Sequence, residues 1–436
     1  MTNKVFIQIF FFAFTIGFVL NPGSGFIQAS EQRAKELNHN STLNDYLEYA
    51  ALNNPGLKAA FNRWQAALEK IPQMRSLPDP KLNFGYFIRE VETRVGPQQG
   101  KVGIMQVFPW FGKLKLKGNA AAEMANAQRQ IYQKAKLNLF YRVKGAYYEY
   151  YYITKALSVI EGNIQLLEYL EGAVRSKYST GMESHATLIK VQVELEKLQD
   201  WYRTMKDMVR PVTAKLNAAL NRSPRAPLPA PQSIIKKDFS MDYTNLVTLL
   251  KEKNPDLMAL DSMAIKEKIG VKLAKKNYYP NFSLGLDYMF TGQATMPGVS
   301  ESGKDPLVAM LSINLPIKYK KYKASVREAK ARQDSVRMQK EEKTNNLISH
   351  LEMIFYKVND SMRKISLYKD SLIPKAKQAF EVTQSAFEAG KVDFLNLIDS
   401  QRILLGFELA YERSLTNYNQ RIAELEMLVG QNLTKN

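Results

Sequence analysis

Blocks of this 436-residue sequence recur in the same order about 200 residues apart, which restricts the fold to two copies of one unit. Residues 53–86 carry Asn54-Pro55, an apolar-periodic stretch and then Pro80-Lys81-Leu82-Asn83-Phe84-Gly85. Residues 253–288 carry Asn254-Pro255, another such stretch and then Pro280-Asn281-Phe282-Ser283-Leu284-Gly285. The offset of 200 between these blocks rises to 207 between Phe108-Pro109 and Leu315-Pro316. It reaches 209 between Tyr178-Ser179-Thr180-Gly181 and Phe387-Glu388-Ala389-Gly390, and Ala214-Lys215-Leu216 and Ala423-Glu424-Leu425 keep that value. Ordered matches with a slowly drifting offset mark the duplication of a helix–strand–strand–helix–helix unit. The expected division is a first repeat over 31–222, a proline-rich linker over 223–240 and a second repeat over 241–436, the linker stiffened by Pro224, Pro227, Pro229 and Pro231.

Val5–Leu20 is the only sustained apolar stretch, with Lys4 before it and Asn21-Pro22-Gly23 and small residues after it. That layout predicts a secretory signal peptide over 1–30, cleaved between Ser24 and Ser30; the stretch is short for an uncleaved anchor. No later segment approaches 18 uninterrupted apolar residues, so no transmembrane helix is expected in the mature chain. Membrane β-strands remain open, because their signal is weaker per segment. The chain has no Cys, which excludes disulfides, thiol catalysis, Cys-based metal sites and a lipidated N-terminal cysteine. The formal charge is +19, yet the Lys and Arg residues are dispersed along helical stretches and the chain reads as exported, so nucleic acid is not an expected partner.

Each repeat opens with a helical pattern, Leu43, Leu47, Ala50, Leu57, Phe61, Trp64 and Leu68 in the first, broken at Asn54-Pro55 and ended at Leu77-Pro78-Asp79-Pro80. The period then switches to two. Leu82, Phe84, Tyr86 and Ile88 alternate with polar or small residues, as do Phe282, Leu284, Leu286, Tyr288 and Phe290, and Leu307 through Leu315. Val102–Phe108 reads as a less regular fourth strand, with Gly96-Pro97 and Gly100 in the loop before it. Strands of 8–11 residues with one apolar face suit either a tilted bilayer crossing or a small soluble sheet on a core. Four strands cannot close a barrel alone, and open edges are not tolerated in lipid, so a spanning sheet requires several chains. The rest, from about Lys113 to Asn221 and Lys318 to Gly430, predicts long helices turning back at Gly181 and Gly390. Arms of about 65–70 residues reach on the order of 100 Å and must pair side by side, with Leu188, Val191, Leu195 and Leu198 as one stripe.

Signals for chemistry are poor. His39, His185 and His350 have no metal-ligand spacing, no phosphate-binding glycine loop occurs, and the 17 Met residues fit helix packing. No catalytic, cofactor or metal site is expected. Phe108, Trp110 and Phe111 at a strand end suit either an interfacial aromatic belt or core packing, and the run Tyr147–Tyr152 suits packing. Asp393 and Asp399 follow the second hairpin glycine, either as solvated helix-start carboxylates or, with the hairpin tip on a symmetry axis, as an acidic ring controlling cations.

From about Leu43 to Leu433 the order of elements resembles the outer-membrane efflux protein family, the TolC-like channels. The residues that carry the likeness are the duplicated Asn-Pro and Pro-x4-Gly blocks, Gln106-Val107-Phe108-Pro109-Trp110-Phe111-Gly112-Lys113, and the hairpin blocks Tyr178-x2-Gly181 and Phe387-x2-Gly390-x6-Leu397-Ile398-Asp399-Ser400-Gln401. The resemblance implies a mainly α protein with membrane β, in which three chains pool four strands each into a 12-stranded outer-membrane barrel continued by a helical periplasmic tunnel. It implies a homotrimer that contacts outer-membrane lipid. Its hairpin tips at Gly181 and Gly390 would dock a periplasmic adaptor and an inner-membrane pump. Asp393, Asn396 and Asp399 would line the entrance. Asp399 matches an acidic family position, but its companion three residues earlier is Asn396, so the double acidic ring is incomplete here. Gly96-Pro97-Gln98 and Phe108-Pro109-Trp110 are similar to members serving heavy-metal pumps. The expected function is a passive outer-membrane export duct, not an enzyme. The alternative is a periplasmic coiled-coil adaptor or scaffold without a pore.

Overall fold

The computed structural model describes residues 37–433 except 39 and 237, so the expected signal peptide and His39 lie outside the described residues. In chain order the elements are α1 (Leu43–Asn53), α2 (Pro55–Arg75), β1 (Lys81–Val91), β2 (Gln98–Phe108), α3 (Lys113–Ser179) and α4 (His185–Leu220). The same order returns as α5 (Tyr243–Lys253), α6 (Pro255–Lys276), β3 (Phe282–Thr291), β4 (Leu307–Ile313), α7 (Tyr319–Leu367), a π-helical turn (Tyr368–Leu372), α8 (Ile373–Glu388) and α9 (Phe394–Val429).

The repeated Asn-Pro pair has one physical job in both halves. Pro55 and Pro255 begin α2 and α6, where the missing N–H costs nothing. Asn54 caps α2 by accepting from Leu57 N (3.1 Å), and its Nδ2 donates across the fold to Ala219 O at the end of α4 (2.9 Å). Asn254 caps α6 by accepting from Asp256 N (2.9 Å) and Leu257 N (3.2 Å), and its Nδ2 donates to Leu428 O near the end of α9 (2.7 Å). Both asparagines are buried. Each thus ties the opening of its repeat to the last helix of the same repeat.

The long helices are held by side-chain stripes. On α3, Leu139, Val143, Ile153, Ile160, Leu167 and Val174 are buried at coiled-coil spacing, against Leu188, Val191 and Leu198 of α4 and Leu397, Leu405 and Leu409 of α9. Leu195 is only partly buried. A second cluster joins Leu246 and Leu250 of α5, Leu351 and Val358 of α7, and Tyr418, Ile422 and Leu425 of α9. The tyrosine run is buried, as packing predicts, and two tyrosine hydroxyls hold the linker: Tyr150 of the run donates to Leu228 O (3.2 Å) and Tyr46 of α1 to Pro229 O (3.3 Å). α3, with 67 residues, spans about 100 Å. The second arm is not the unbroken helix that its composition suggests. Pro374 has no N–H to donate, and the chain absorbs this with the π-helical turn, in which Ile373 N donates to Tyr368 O.

The four strands form one antiparallel sheet in the order β1-β2-β3-β4, so the seam between the repeats is the β2–β3 pair. β2 is longer than the expected Val102–Phe108, and Gly100, assigned from sequence to the loop, lies within it opposite Tyr86 and Phe290. Its alternation is masked in the sequence because Gly100 and Gly103 leave two side-chain slots empty. The gap at Gly103 is required: a Cβ there would lie 1.9 Å from Asp287 Oδ1. β4 ends at Ile313, short of Leu315; beyond it Asn314 keeps contact with β3 through its backbone N and its side-chain oxygen, both bonded to Asn281.

The Asn clamps yield a stability prediction. Asn54→Ala or Asn254→Ala removes a helix cap and strands a buried carbonyl, and each is expected to cost about 1–3 kcal/mol. Thermal unfolding in detergent reads this as a lowered midpoint. Asn→Asp at either site restores the cap but not the donor, and should recover only part of the loss.

Candidate functional site

The sheet has two chemically different faces. Register aligns Leu82, Ile104 and Leu286 with Ala309, and Phe84, Val102 and Tyr288 with Leu307, on one side. On that side Phe84 is 77% exposed, Ile88 93% and Leu311 66%, and Leu284 and Phe290 are also open. An exposed apolar face built from every strand is far larger than the scattered apolar residues of an ordinary surface. The opposite face is mixed: Lys81, Asn83, Ser283 and Ser312 lie on it beside Met105, Val107, Val308 and Met310, with an ion pair between Lys101 Nζ and Asp287 Oδ2 at 3.2 Å. Asp287 sits in the space that Gly103 leaves, and the Lys101 stem lies over Gly85. Among the described residues β1 pairs only with β2 and β4 only with β3, so both outer edges are open.

At the base of the sheet, strands hand over to helices through an aromatic cluster. Phe108 stacks on Phe282 with ring centroids 5.5 Å apart, and Trp110 stacks on Tyr279 at 5.3 Å. Phe111 meets the edge of Trp110 and is 71% exposed, whereas Trp110 is half-buried. A polar latch between the repeats lies beneath them. Lys113 Nζ donates to Asn281 Oδ1 (2.8 Å) and Tyr279 O (3.0 Å), and Trp110 N donates to the same Asn281 oxygen (3.2 Å). Burial, aided by the neighbouring Lys117 charge, pushes the Lys113 ammonium pKa down. Sequence reasoning missed this latch and the Lys101–Asp287 pair. Their only trace is that each joins positions in different repeats.

The hairpin tips are duplicates in backbone detail. Gly181 has φ +74° and Gly390 φ +69°, the left-handed turn that ends α3 and α8. Met182 N donates to Lys177 O and Lys391 N to Ala386 O, both at 2.8 Å. Ser184 then caps α4 and Asp393 caps α9. Asp393 Oδ1 accepts from Asn396 N (3.0 Å) and from Asn396 Nδ2 (2.8 Å), so these two side chains form a cap. Asp399, two turns into the helix, is exposed and makes no hydrogen bond or ion pair among the described residues. Its counterpart Lys190 is likewise exposed. The two tips are joined: Lys177 Nζ donates to Phe387 O (2.8 Å) over the Phe387 ring, and Arg402 Nε donates to Glu194 Oε2 (3.1 Å). Burial raises the Glu194 pKa, but the bonds from Arg402 and Lys197 outweigh it and hold the carboxyl below its ordinary value.

An apolar sheet face, two open strand edges and two helical hairpins are the parts of a membrane duct. The model of the outer membrane efflux protein family matches residues 46–222 and 246–431. The chain belongs to the outer membrane efflux protein family. A relative, the cobalt-zinc-cadmium resistance protein CzcC of Cupriavidus metallidurans, is 20% identical over 406 residues, covering 89% of this chain and 90% of the relative. Among solved structures, the outer membrane protein VceC of Vibrio cholerae superimposes with a TM-score of 0.73 at 16% identity, covering 90% of this chain and 96% of that one. The CmeC outer membrane channel of Campylobacter jejuni gives 0.73 at 16% identity, with 92% and 90% covered. These likenesses show the fold.

As an outer membrane efflux protein, the chain sets its apolar sheet face in the outer membrane and its long helices in the periplasm. No helix among the described residues is long and apolar enough to cross a membrane.

The Glu194 latch gives a pH prediction. A carboxyl with a lowered folded-state pKa contributes stability above its unfolded value near 4.5, and that stability is lost as pH falls through the folded value. Hydrogen exchange at the tips should therefore rise only on acidification below about pH 4.5. Glu194→Gln should exchange faster at neutral pH and lose the acid-dependent step.

Proposed function

We propose that three copies of this chain close a 12-stranded barrel and act together as a passive outer-membrane duct, without catalysing a reaction. The observation that carries this reading is the four-stranded sheet with an exposed apolar face and two open edges. In hydrocarbon each unpaired backbone group costs several kcal/mol, and a neighbouring copy supplies the missing strand at each edge. On this reading the repeats 31–222 and 241–436, joined by 223–240, each contribute two strands and one hairpin to a single wall. Phe108, Trp110 and Phe111 stand at the periplasmic membrane interface, where aromatic rings are favoured.

The tips at Gly181 and Gly390 are the docking points for a periplasmic adaptor that links the duct to an inner-membrane pump. Asp399 supplies a single carboxylate per chain at the entrance, with Asn396 and Asp393 serving the helix cap behind it. The cargo we infer is divalent transition-metal cations. Its support is the name of the CzcC relative, together with an entrance carboxylate that attracts cations.

Detergent-solubilised protein is expected to run as a trimer and to give discrete conductance steps in planar bilayers. A monomer without conductance overturns the reading and favours a pore-less periplasmic adaptor. Asp399→Ala should raise conductance or relieve block by added divalent cations; unchanged block would remove Asp399 from the entrance. Deleting the gene should sensitise cells to cobalt, zinc or cadmium more than to apolar drugs, and the reverse pattern overturns the cargo.

A further inference from the structure

The strand–helix junction carries a positive charge that the fold does not use. β4 ends with exposed Leu311 and Ile313, and exposed Leu315 and Ile317 continue toward α7. Tyr319 then opens α7 amid Lys318, Lys320, Lys321 and Lys323, all exposed. In the first repeat exposed Phe111 is followed, at the start of α3, by exposed Lys115 and Lys117. None of these six lysines forms an ion pair among the described residues, and neither helix has an acidic residue in its first turn.

Packing gives no reason for this arrangement. Lysines at a helix start oppose the helix dipole, and like charges crowd one another, as the effect of Lys117 on Lys113 illustrates. Elsewhere in the helices some basic side chains are paired, for example Lys134 and Lys343 with Asp256, or Arg363 and Lys364 with Asp360. Lys318, just before α7, and Lys320, Lys321 and Lys323 at its start are spread around a 3.6-residue turn, so the charge is not confined to one face of the helix. At most about 17 Å of chain separates Ile313 from Lys318, which sets the charges just beyond the apolar band. The order from apolar strand to aromatic ring to lysine is the order of hydrocarbon, interface and headgroup met on leaving a bilayer.

We infer that the lysines opening α7 and α3 form a basic collar that binds the phosphate groups of anionic phospholipids in the periplasmic leaflet of the outer membrane. This rests on the placement of the sheet in that membrane. The collar fixes the height of the barrel in the bilayer by charge, where the aromatic cluster fixes it by ring burial. Each lysine near an anionic surface strengthens binding several-fold, and the effect is screened by salt.

The test uses full-length protein in nanodiscs of equal phosphatidylglycerol and phosphatidylcholine, delipidated stepwise in detergent, with retained lipid counted by native mass spectrometry. The variant combines Lys318→Gln, Lys320→Gln, Lys321→Gln and Lys323→Gln; the control combines Lys190→Gln, Lys357→Gln, Lys369→Gln and Lys375→Gln. Wild type and control should retain phosphatidylglycerol over phosphatidylcholine, and the collar variant should lose that preference on the order of tenfold. High salt should weaken the wild-type preference. Equal retention by wild type and collar variant overturns the proposal, as does displacement of the lipid by soluble glycerol phosphate at millimolar concentration. Conductance in phosphatidylcholine bilayers separates the two layers: insertion without lipid preference overturns the collar alone, and failure to insert overturns the membrane placement with it.

Discussion

A sheet that faces hydrocarbon can leave no backbone N–H or C=O unpaired, and everything else in this molecule is organised around that constraint. Among the described residues β1 and β4 each have one edge without a partner, on a sheet whose outer face is mostly apolar. A soluble protein blunts such edges with charge, proline or a covering helix. Here β4 keeps unbroken pairing with β3 along its strand, and β1 pairs in register over 81–86 before a register shift between Tyr86 and Val91; neither edge is covered by a helix among the described residues. Closure therefore has to come from outside the chain, and the proposed trimer supplies it with the same two edges repeated.

The duplication makes that closure possible without making either half independent. Each repeat is tied to itself by one asparagine: Asn54 holds the end of α4 and Asn254 the end of α9. The donors differ by 200 positions and the acceptors by 209, the drift seen in the sequence. Each repeat is tied to the other by the β2–β3 pairing, by Lys101 with Asp287 and by Lys113 with Asn281. A half on its own would expose one more strand edge, and the first half would lose the partner of buried Lys113. The repeats are therefore units of construction and not of stability.

Local chemistry explains what was legible in the sequence. The period of two in β1, β3 and β4, the Asn-Pro helix starts and the glycine turns at the tips all depend on neighbours along the chain, so a single sequence displays them. β2 was only partly visible, because Gly100 and Gly103 serve neighbouring strands and interrupt the alternation. Asp393 and Asn396 stood out as acidic and polar residues near the entrance, and the structure makes them a cap, a role equally local. The Lys113–Asn281 latch, the Glu194–Arg402 bond between tips and the π-helical turn before Pro374 were not legible. The first two join residues 168 and 208 positions apart, and the third is one of several ways to accommodate a proline. The expected site residues did not gather in one place. The aromatic residues fall at the strand–helix junction and the others at the hairpin tips, at opposite ends of the long helix α3.

The tips differ where the repeats otherwise agree, since exposed Asp399 answers exposed Lys190. That asymmetry matters only if the chains close around one axis, so closure is the claim on which the rest stands. The natural chain has no cysteine, which leaves a clean background for cross-linking across the open edges. Asn83→Cys on β1 can be combined in turn with Val308→Cys, Met310→Cys and Ser312→Cys on β4, all on the face of the sheet opposite Phe84 and Leu311. Oxidation of membrane-embedded protein should give, for at least one pair, covalent dimers and trimers and nothing larger. Failure of every pair to cross-link, or a ladder running past three chains, would contradict a closed three-chain barrel.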